Sequence, residues 1–201
     1  MTVEELRQII RNLPPLPDTS PEFTWLNRRI GLRRHILSEN PLELEKWSTI
    51  NALIRPGYQE YHLCQWERVT GLSVADLGNI VEFGGGYGEM AALCHQRGFR
   101  GSYYSVDFPE MLVLQSFYLS RLGLPDALPL TINHCDLLIA ICSLSETDRK
   151  TRDEFLSRLA FDHCLICYYP DQDGLSNHKY FEDFGELIEG DDGLDHYYRL
   201  R

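Results

Sequence analysis

The segment Val81-Glu82-Phe83-Gly84-Gly85-Gly86-Tyr87-Gly88 decides the fold, because an apolar strand pattern runs into a glycine-rich turn and then into a helical pattern. Glycine lacks a Cβ, so the backbone can turn tightly and approach a ligand closely. The amides at the start of the following helix then remain open to an anionic group. The segment predicts a ligand-binding turn. A turn at a sheet edge that merely satisfies local geometry is the alternative that this segment leaves open.

Downstream of this turn, short apolar runs alternate with helical stretches, which is typical of a doubly wound, mostly parallel α/β sheet of the Rossmann-like type. The predicted strands are 80–83, 102–106, 128–132, 137–142, 164–169 and a closing strand 196–200. The predicted helices are 89–97, 110–122, 146–159 and 177–188. The link between the third and fourth strands is too short for a helical crossover. Either one of these two strand assignments is inaccurate, or the helical layer is shortened at this point.

The first seventy residues have no strand pattern and predict a helical cap, giving a division into a cap (1–70) and a Rossmann-like domain (71–201). The predicted helices are 2–12, 20–37, 41–53 and 58–70, separated by proline and glycine. Thr2 and Glu5 form a capping-box pattern at the first of them. The cluster Arg28, Arg29, Arg33 and Arg34 is interpreted as a solvated helix face.

Two acidic residues indicate which ligand the turn binds. Asp107 ends the next predicted strand, where nucleotide-binding α/β folds place an acid that accepts hydrogen bonds from both ribose hydroxyls. Glu82 lies in an apolar strand, where burial of its carboxylate is costly unless a cation such as an amino-acid ammonium pairs with it. The dinucleotide motif G-x-G-x-x-G is not satisfied, because Glu89 occupies the third glycine position. The pattern therefore favours S-adenosylmethionine (SAM) over NAD.

These residues resemble a known family. The pattern E-x-G-x-G-x-G followed by an acid after the second strand is similar to class I SAM-dependent methyltransferases. More narrowly, residues 82–88, 104–110, 118–120 and Ser143-Leu144-Ser145-Glu146 resemble the sugar O-methyltransferase family, as does Lys46-Trp47-Ser48-Thr49-Ile50 in the cap. The resemblance covers about residues 40–170.

The resemblance implies a set of cofactor-binding residues. Glu82, Gly84, Gly86 and Gly88 would line the methionine end, Asp107 would hold the ribose, and Phe108 would lie beside the adenine. The family usually has an acidic adenine contact after the third strand, where Asn133 or Asp136 is the expected substitute. The full predicted set is Glu82, Gly84, Gly85, Gly86, Tyr87, Gly88, Asp107, Phe108, Asn133 and Ser143. The family also closes its sheet with an antiparallel pair, whereas only one closing strand is predicted here.

Methyl transfer to a sugar hydroxyl is expected to need a general base, since such a hydroxyl is a poor nucleophile at neutral pH. Reacting groups in an open α/β sheet come from the carboxyl ends of the strands. The predicted candidates are Glu146, Asp171 and His178, with Ser145, Tyr169, Tyr58, Tyr61 and His62 as further options. Each has a structural alternative. Glu146 fits a first-turn acid, Asp171 a turn former and His178 a solvated surface residue.

Composition restricts the partners. The 201 residues have a net charge of −11, which argues against nucleic acid or an anionic membrane as the main partner. No apolar run is long enough to cross a bilayer, so a cytoplasmic protein with reduced cysteines is expected. Cys164 and Cys167 form a C-x-x-C pattern, but strand geometry points them to opposite faces. No metal is predicted. Residues 171–195 are acidic, however, and their oxygen atoms leave binding of a divalent cation as an alternative.

Three hypotheses remain. The first is a SAM-dependent methyltransferase that O-methylates a sugar or another small hydroxylated molecule. The second is a binding or scaffold protein with the same fold and no turnover. The third is an NAD-dependent oxidoreductase, which the missing third glycine disfavours. The expected partner is a small molecule, and a homo-oligomer is compatible with the sequence.

Overall fold

The computed structural model describes residues 1–16, 30–31, 33–34, 36–37, 57–172, 175–189 and 197–201. The helices with described bounds are α1 (Val3–Asn12), α2 (Tyr58–Thr70), α3 (Glu89–Gln96), α4 (Pro109–Arg121), α5 (Arg149–Leu156) and α6 (Asn177–Tyr180), with a 3-10 turn at Val74–Asp76. Residues 30–31, 33–34 and 36–37 are also helical. The strands are β1 (Asn79–Phe83), β2 (Ser102–Val106), β3 (Leu128–Pro129), β4 (His134–Ile141), β5 (Ala160–Tyr168), β6 (Asp171–Gln172), β7 (Leu175–Ser176), β8 (Glu186–Glu189) and β9 (Tyr197–Leu200). No helix in these ranges is both long enough and apolar enough to span a bilayer.

Seven strands form one sheet in the order β3-β2-β1-β4-β5-β9-β8. Strands β1 to β5 are parallel, and β9 runs antiparallel to both β5 and β8. The chain therefore winds outward from β1 in both directions, which confirms the predicted doubly wound, mostly parallel fold. The carboxyl ends of β1 and β4 meet at the point where the winding direction reverses, and open α/β sheets bind their ligands there.

Apolar side chains cover both faces of the sheet, which explains why its central strands are almost continuously apolar. On one face, Ile80 and Ile139 pack with Leu63 and Trp66 of α2. On the other face, Val81, Leu138 and Ile166 pack with Phe155 of α5 and Phe181. Helix α2 thus shares a core with the sheet, and the boundary at residue 70 stays a prediction.

The N-terminal region is described in part. Helix α1 begins with the predicted capping box, in which the Glu5 N–H donates to Thr2 Oγ1 at 3.2 Å and the Thr2 N–H to Glu5 Oε2 at 2.6 Å. Leu6 and Ile10 of α1 pack against α4. The predicted helix 41–53 and most of 20–37 lie outside the described residues. Arg33 is not simply a solvated residue, because its Nε donates to Oε1 of fully buried Glu110 at 2.6 Å.

Two predictions about the second half of the domain were wrong. Residues 177–188 do not form one helix, because α6 ends at Tyr180 and Glu186–Glu189 is strand β8. The sheet consequently closes with an antiparallel pair, β8 and β9, rather than with a single strand. Leu187 is exposed and Ile188 half-buried, so pairing with β9 rather than a continuous buried face holds this segment extended.

The connection between β3 and β4 is short and contains no helix. Strand β3 ends at Pro129 instead of residue 132, and β4 begins at His134 instead of residue 137. Residues 130–133 join them without a helix. Asn133 therefore stands at the amino end of β4 and not at the carboxyl end of β3.

Candidate functional site

The glycine turn adopts a backbone that other residues would strain. Gly84, Gly86 and Gly88 have φ values of 76°, 58° and 98°, and Gly88 caps α3. The Gly84 N–H donates to the Val106 carbonyl at 2.8 Å, which joins the turn to the end of β2. A Cβ on Gly84 would overlap the Ser143 side chain, and one on Gly85 would overlap the Glu82 carboxylate. The turn thus requires glycine for its conformation and for close approach.

Glu82 is buried beneath this turn, with 3% of its surface exposed. Its Oε2 accepts a hydrogen bond from the Tyr103 hydroxyl at 2.8 Å. Burial raises the pKa of Glu82 to about 7, because the low-dielectric interior disfavours the charged form. Within the described part of the chain, no cationic side chain forms an ion pair with it.

Asp107 follows β2 and faces the turn. Its Oδ2 accepts from the Gly86 N–H at 3.0 Å, and its Oδ1 accepts from its neighbour Phe108 N–H at 2.7 Å. Burial raises the pKa of Asp107 to about 6, while these two hydrogen bonds act in the opposite direction. The two motifs that the sequence analysis singled out are therefore in direct contact.

A cavity of about 270 Å³ opens beside the turn at the carboxyl ends of β1, β2 and β4. Its lining residues are Phe83, Gly84, Val106, Asp107, Phe108, Ser143, Thr147, Asp148 and Thr151. Ser143 is held at the wall, because its hydroxyl donates a short hydrogen bond to the Phe83 carbonyl. The lining is mainly apolar with a few polar groups, as is usual for sites that bind small organic molecules.

The structure brings most of the predicted cofactor-binding residues together. Gly84, Asp107, Phe108 and Ser143 line the cavity. Gly85, Gly86 and Gly88 belong to the same turn as Gly84, and Glu82 lies beneath it in β1. The Tyr87 side chain points elsewhere, since its hydroxyl donates to Glu89 Oε2 at 2.7 Å and its ring packs against Tyr118.

Asn133 does not join this group, and Asp136 does not either. Both lie at the amino end of β4, whereas the cavity lies at the carboxyl ends of the parallel strands. Asp136 Oδ2 instead accepts from the N–H groups of Gly78 and Asn79, at 2.5 and 3.0 Å. Asn133 therefore lies away from this cavity, because the third strand ends three residues earlier than its apolar pattern suggests.

The predicted base candidates occupy separate positions. Glu146 is half-buried in the turn between β4 and α5 and does not cap that helix, since Asp148 is the N-cap. His178 lies on α6, with its Nδ1 3.2 Å from the Tyr168 hydroxyl. Asp171 lies on the short hairpin of β6 and β7, paired with Ser176. Of the described residues, neither Glu146 nor His178 lines the cavity.

Two residues that support the site gave no strong signal in the sequence. Gln115 of α4 donates through Nε2 to the Gly86 carbonyl at 2.9 Å and so braces the turn. Arg152 of α5 is 1% exposed and donates to the carbonyls of Ser145 and Thr147 and to Asn177 Oδ1. Arg152 thereby holds the loop that leads to the cavity wall. An isolated Gln or Arg on a helix is typical of a solvated face, so only the packing reveals these roles.

Comparison of the sequence with protein-family models and with curated proteins finds no match. Comparison of the structure with solved structures finds methyltransferases. A SAM-dependent methyltransferase from Aquifex aeolicus is similar with a TM-score of 0.54 and 18% identity, covering 81% of this chain and 99% of that one. A 1,6-didemethyltoxoflavin-N1-methyltransferase from Burkholderia thailandensis, with bound 1,6-didemethyltoxoflavin and S-adenosylhomocysteine, has a TM-score of 0.51 and 10% identity, covering 93% and 91%. The chain therefore has the Rossmann-like fold of SAM-dependent methyltransferases.

Proposed function

We propose that this protein is a SAM-dependent methyltransferase that binds its cofactor in the cavity beside the glycine turn. The observation that carries the proposal is the hydrogen bond from the Gly86 N–H to the Asp107 carboxylate at the cavity. This bond brings the bare backbone that would accept the methionine moiety next to the acid that would hold the ribose. The bound S-adenosylhomocysteine in the Burkholderia neighbour is consistent with the same class of cofactor.

The charges of the site also favour this cofactor. Glu82 is a buried carboxylate whose pairing with the cofactor's ammonium, directly or through a water, would compensate its desolvation. Glu89 begins α3, at the helix end where a dinucleotide's pyrophosphate would otherwise bind. Two carboxylates near the turn would repel phosphates, whereas a zwitterionic amino acid tolerates them. NAD is therefore the less suitable ligand.

The acceptor is proposed to be a sugar or another small polyhydroxylated molecule, which rests on the resemblance to the sugar O-methyltransferases. The sulfonium of the bound cofactor supplies an activated methyl group. The residues of the chain would position the acceptor hydroxyl in line with it and remove its proton as the new oxygen–carbon bond forms and the sulfur–carbon bond breaks. Glu146, Asp171 and His178 are the proposed bases. The cytoplasm is the proposed location.

Calorimetry with SAM, S-adenosylhomocysteine and NAD tests the cofactor. We expect the first two to bind and NAD not to bind. Asp107→Ala should weaken S-adenosylhomocysteine binding by about a hundredfold, since it removes a charged acceptor of two hydrogen bonds. Asp126→Ala is the matched control, because Asp126 is exposed and does not line the cavity. Binding of NAD alone would overturn the proposal.

Turnover is tested separately. The wild-type protein is incubated with SAM and a panel of sugars and small hydroxylated metabolites, and formation of S-adenosylhomocysteine is measured. Methyl transfer to a hydroxyl supports the proposal. Tight cofactor binding without transfer to any acceptor would instead favour the binding or scaffold protein.

A further inference from the structure

The cavity has two walls that belong to different parts of the fold. One wall consists of Asp107 and Phe108 after β2, and the other consists of Thr147, Asp148 and Thr151 at the start of α5. If Asp107 holds the ribose, as the proposed function requires, then the adenine lies beyond it, between Phe108 and the start of α5. The wall at α5 is therefore the part of the chain that the adenine edge would meet.

An adenine in a mainly apolar cavity needs a hydrogen-bond acceptor for its exocyclic amino group, because a buried and unpaired donor is costly. The described residues that directly follow β3 supply no acidic side chain for it. Leu130 follows β3, and its side chain packs in the apolar cluster that contains Val106. Asn133 and Asp136 lie at the opposite edge of the sheet.

Asp107 and Asp148 are the only carboxylates among the described residues that line the cavity. Asp107 follows β2, at the position where an acid holds the ribose in such folds. Asp148 is the remaining acceptor with a full charge.

Asp148 is also held in a fixed orientation as the N-cap of α5. Its Oδ1 accepts from the Thr151 N–H at 3.0 Å and its Oδ2 from the Thr151 hydroxyl at 2.8 Å. Each carboxylate oxygen can accept a further hydrogen bond. The hydrogen bond from the Thr151 amide lowers the pKa of Asp148, so it is ionised at neutral pH.

We infer that Asp148 recognises the adenine amino group of the cofactor and replaces the acidic contact that is missing after β3. The inference rests on the proposed function. It predicts a preference for a 6-amino purine over a 6-oxo purine, because the oxygen of the latter would face a carboxylate and repel it.

Calorimetry with two ligands tests this inference. S-adenosylhomocysteine carries the amino group, and S-inosylhomocysteine carries an oxygen in its place. Asp148→Asn is the informative variant, since asparagine is also a good N-cap and leaves the helix start intact. Its amide can donate to the 6-oxo group, so the variant should bind S-adenosylhomocysteine about tenfold more weakly and lose most of the discrimination between the two ligands.

Asp153→Asn is the matched control, because it makes the same change of charge on the same helix outside the cavity. Asp153 pairs with Arg149 and accepts from the Tyr180 hydroxyl. We expect its affinities to stay within about twofold of wild type, since exposed charges outside the site are screened by salt. If the wild type binds S-adenosylhomocysteine and Asp148→Asn keeps both its affinity and its discrimination, the inference is wrong and the proposed function stands. If the wild type does not bind S-adenosylhomocysteine, both the inference and the proposed function are wrong.

Discussion

The two edges of the sheet use carboxylates in opposite ways. At the carboxyl ends of the strands, Glu82 and Asp107 are largely buried, and burial raises the pKa of both. At the amino ends, Asp136 bonds two backbone N–H groups, and the exposed Asp162 lies 3.1 Å from His134 Nε2.

This difference separates the residues that we propose to bind a ligand from residues that stabilise the fold. A buried carboxylate without a cation costs stability in the free protein, and a bound cation would recover that cost. Asp136 is half-exposed and has no comparable desolvation cost, and its hydrogen bonds from two backbone N–H groups stabilise the fold. The environment, rather than the residue type, identifies the functional acids.

The largest effect is expected for Gly84→Ala at the carboxyl edge. The substitution combines a positive φ with overlap between the new Cβ and Ser143. We expect a loss of about 3 kcal/mol in the free energy of unfolding and no measurable binding of S-adenosylhomocysteine. Urea denaturation and calorimetry measure the two effects.

Gly123→Ala is the control for backbone strain alone. Gly123 has a φ of 67°, and nothing lies within 4 Å of the position of its Cβ. We expect the free energy of unfolding of this variant to fall by about 1 kcal/mol and its affinity for S-adenosylhomocysteine to equal that of the wild type. Equal destabilisation by the two substitutions would show that Ser143 does not pack against the turn.

Glu82→Gln is expected to improve stability while impairing binding. The folded protein raises the pKa of Glu82 from 4.5 to about 7, so the wild type loses stability as the pH rises through this interval. The variant carries no charge to desolvate and should be more stable than wild type by about 3 kcal/mol at pH 8, with little difference at pH 4. Thermal melts at both pH values measure this.

The same variant should show which part of the pH dependence of S-adenosylhomocysteine binding comes from Glu82. Wild-type affinity for S-adenosylhomocysteine should rise as the pH increases through about 7, because only ionised Glu82 pairs with the ammonium. In Glu82→Gln the affinity should be about tenfold lower at pH 8, and its rise should follow Asp107 near pH 6. A pH profile identical to wild type would contradict the role of Glu82.

The smallest effect is expected for Asp136→Asn at the amino edge. The variant weakens the acceptor for the Gly78 and Asn79 amides, which should cost about 1 kcal/mol. Affinity for S-adenosylhomocysteine should not change, because Asp136 lies at the amino ends of the strands and the cavity lies at their carboxyl ends. A loss of affinity comparable to that of Glu82→Gln would remove the distinction between the two edges.

Where the sequence pattern was local, it predicted the structure. The bounds of β2 and α2 follow from an apolar run and from flanking glycines. The capping box of α1 satisfies its own amides within one turn. The glycine turn and Asp107 were singled out by residue type and spacing, and the structure joins them by a hydrogen bond.

Where the outcome depended on distant partners, the pattern was insufficient. Strand β8 forms because β9 offers it a hydrogen-bonded edge, and that strand lies beyond a further segment of the chain. Strand β3 stops after two paired residues, which moves Asn133 to the opposite edge. Asp148 belongs to no motif in the sequence, and only the tertiary structure places it at the cavity with Phe108.

The amino-acid sequence by itself determined the alternation of strands and helices, the glycine turn and the acid after the second strand, since each is encoded within a few consecutive residues. The tertiary structure decided which carboxylates are buried and which residues form the second wall of the cavity. Burial and convergence depend on segments far apart in the chain, so no local pattern of residues specifies them.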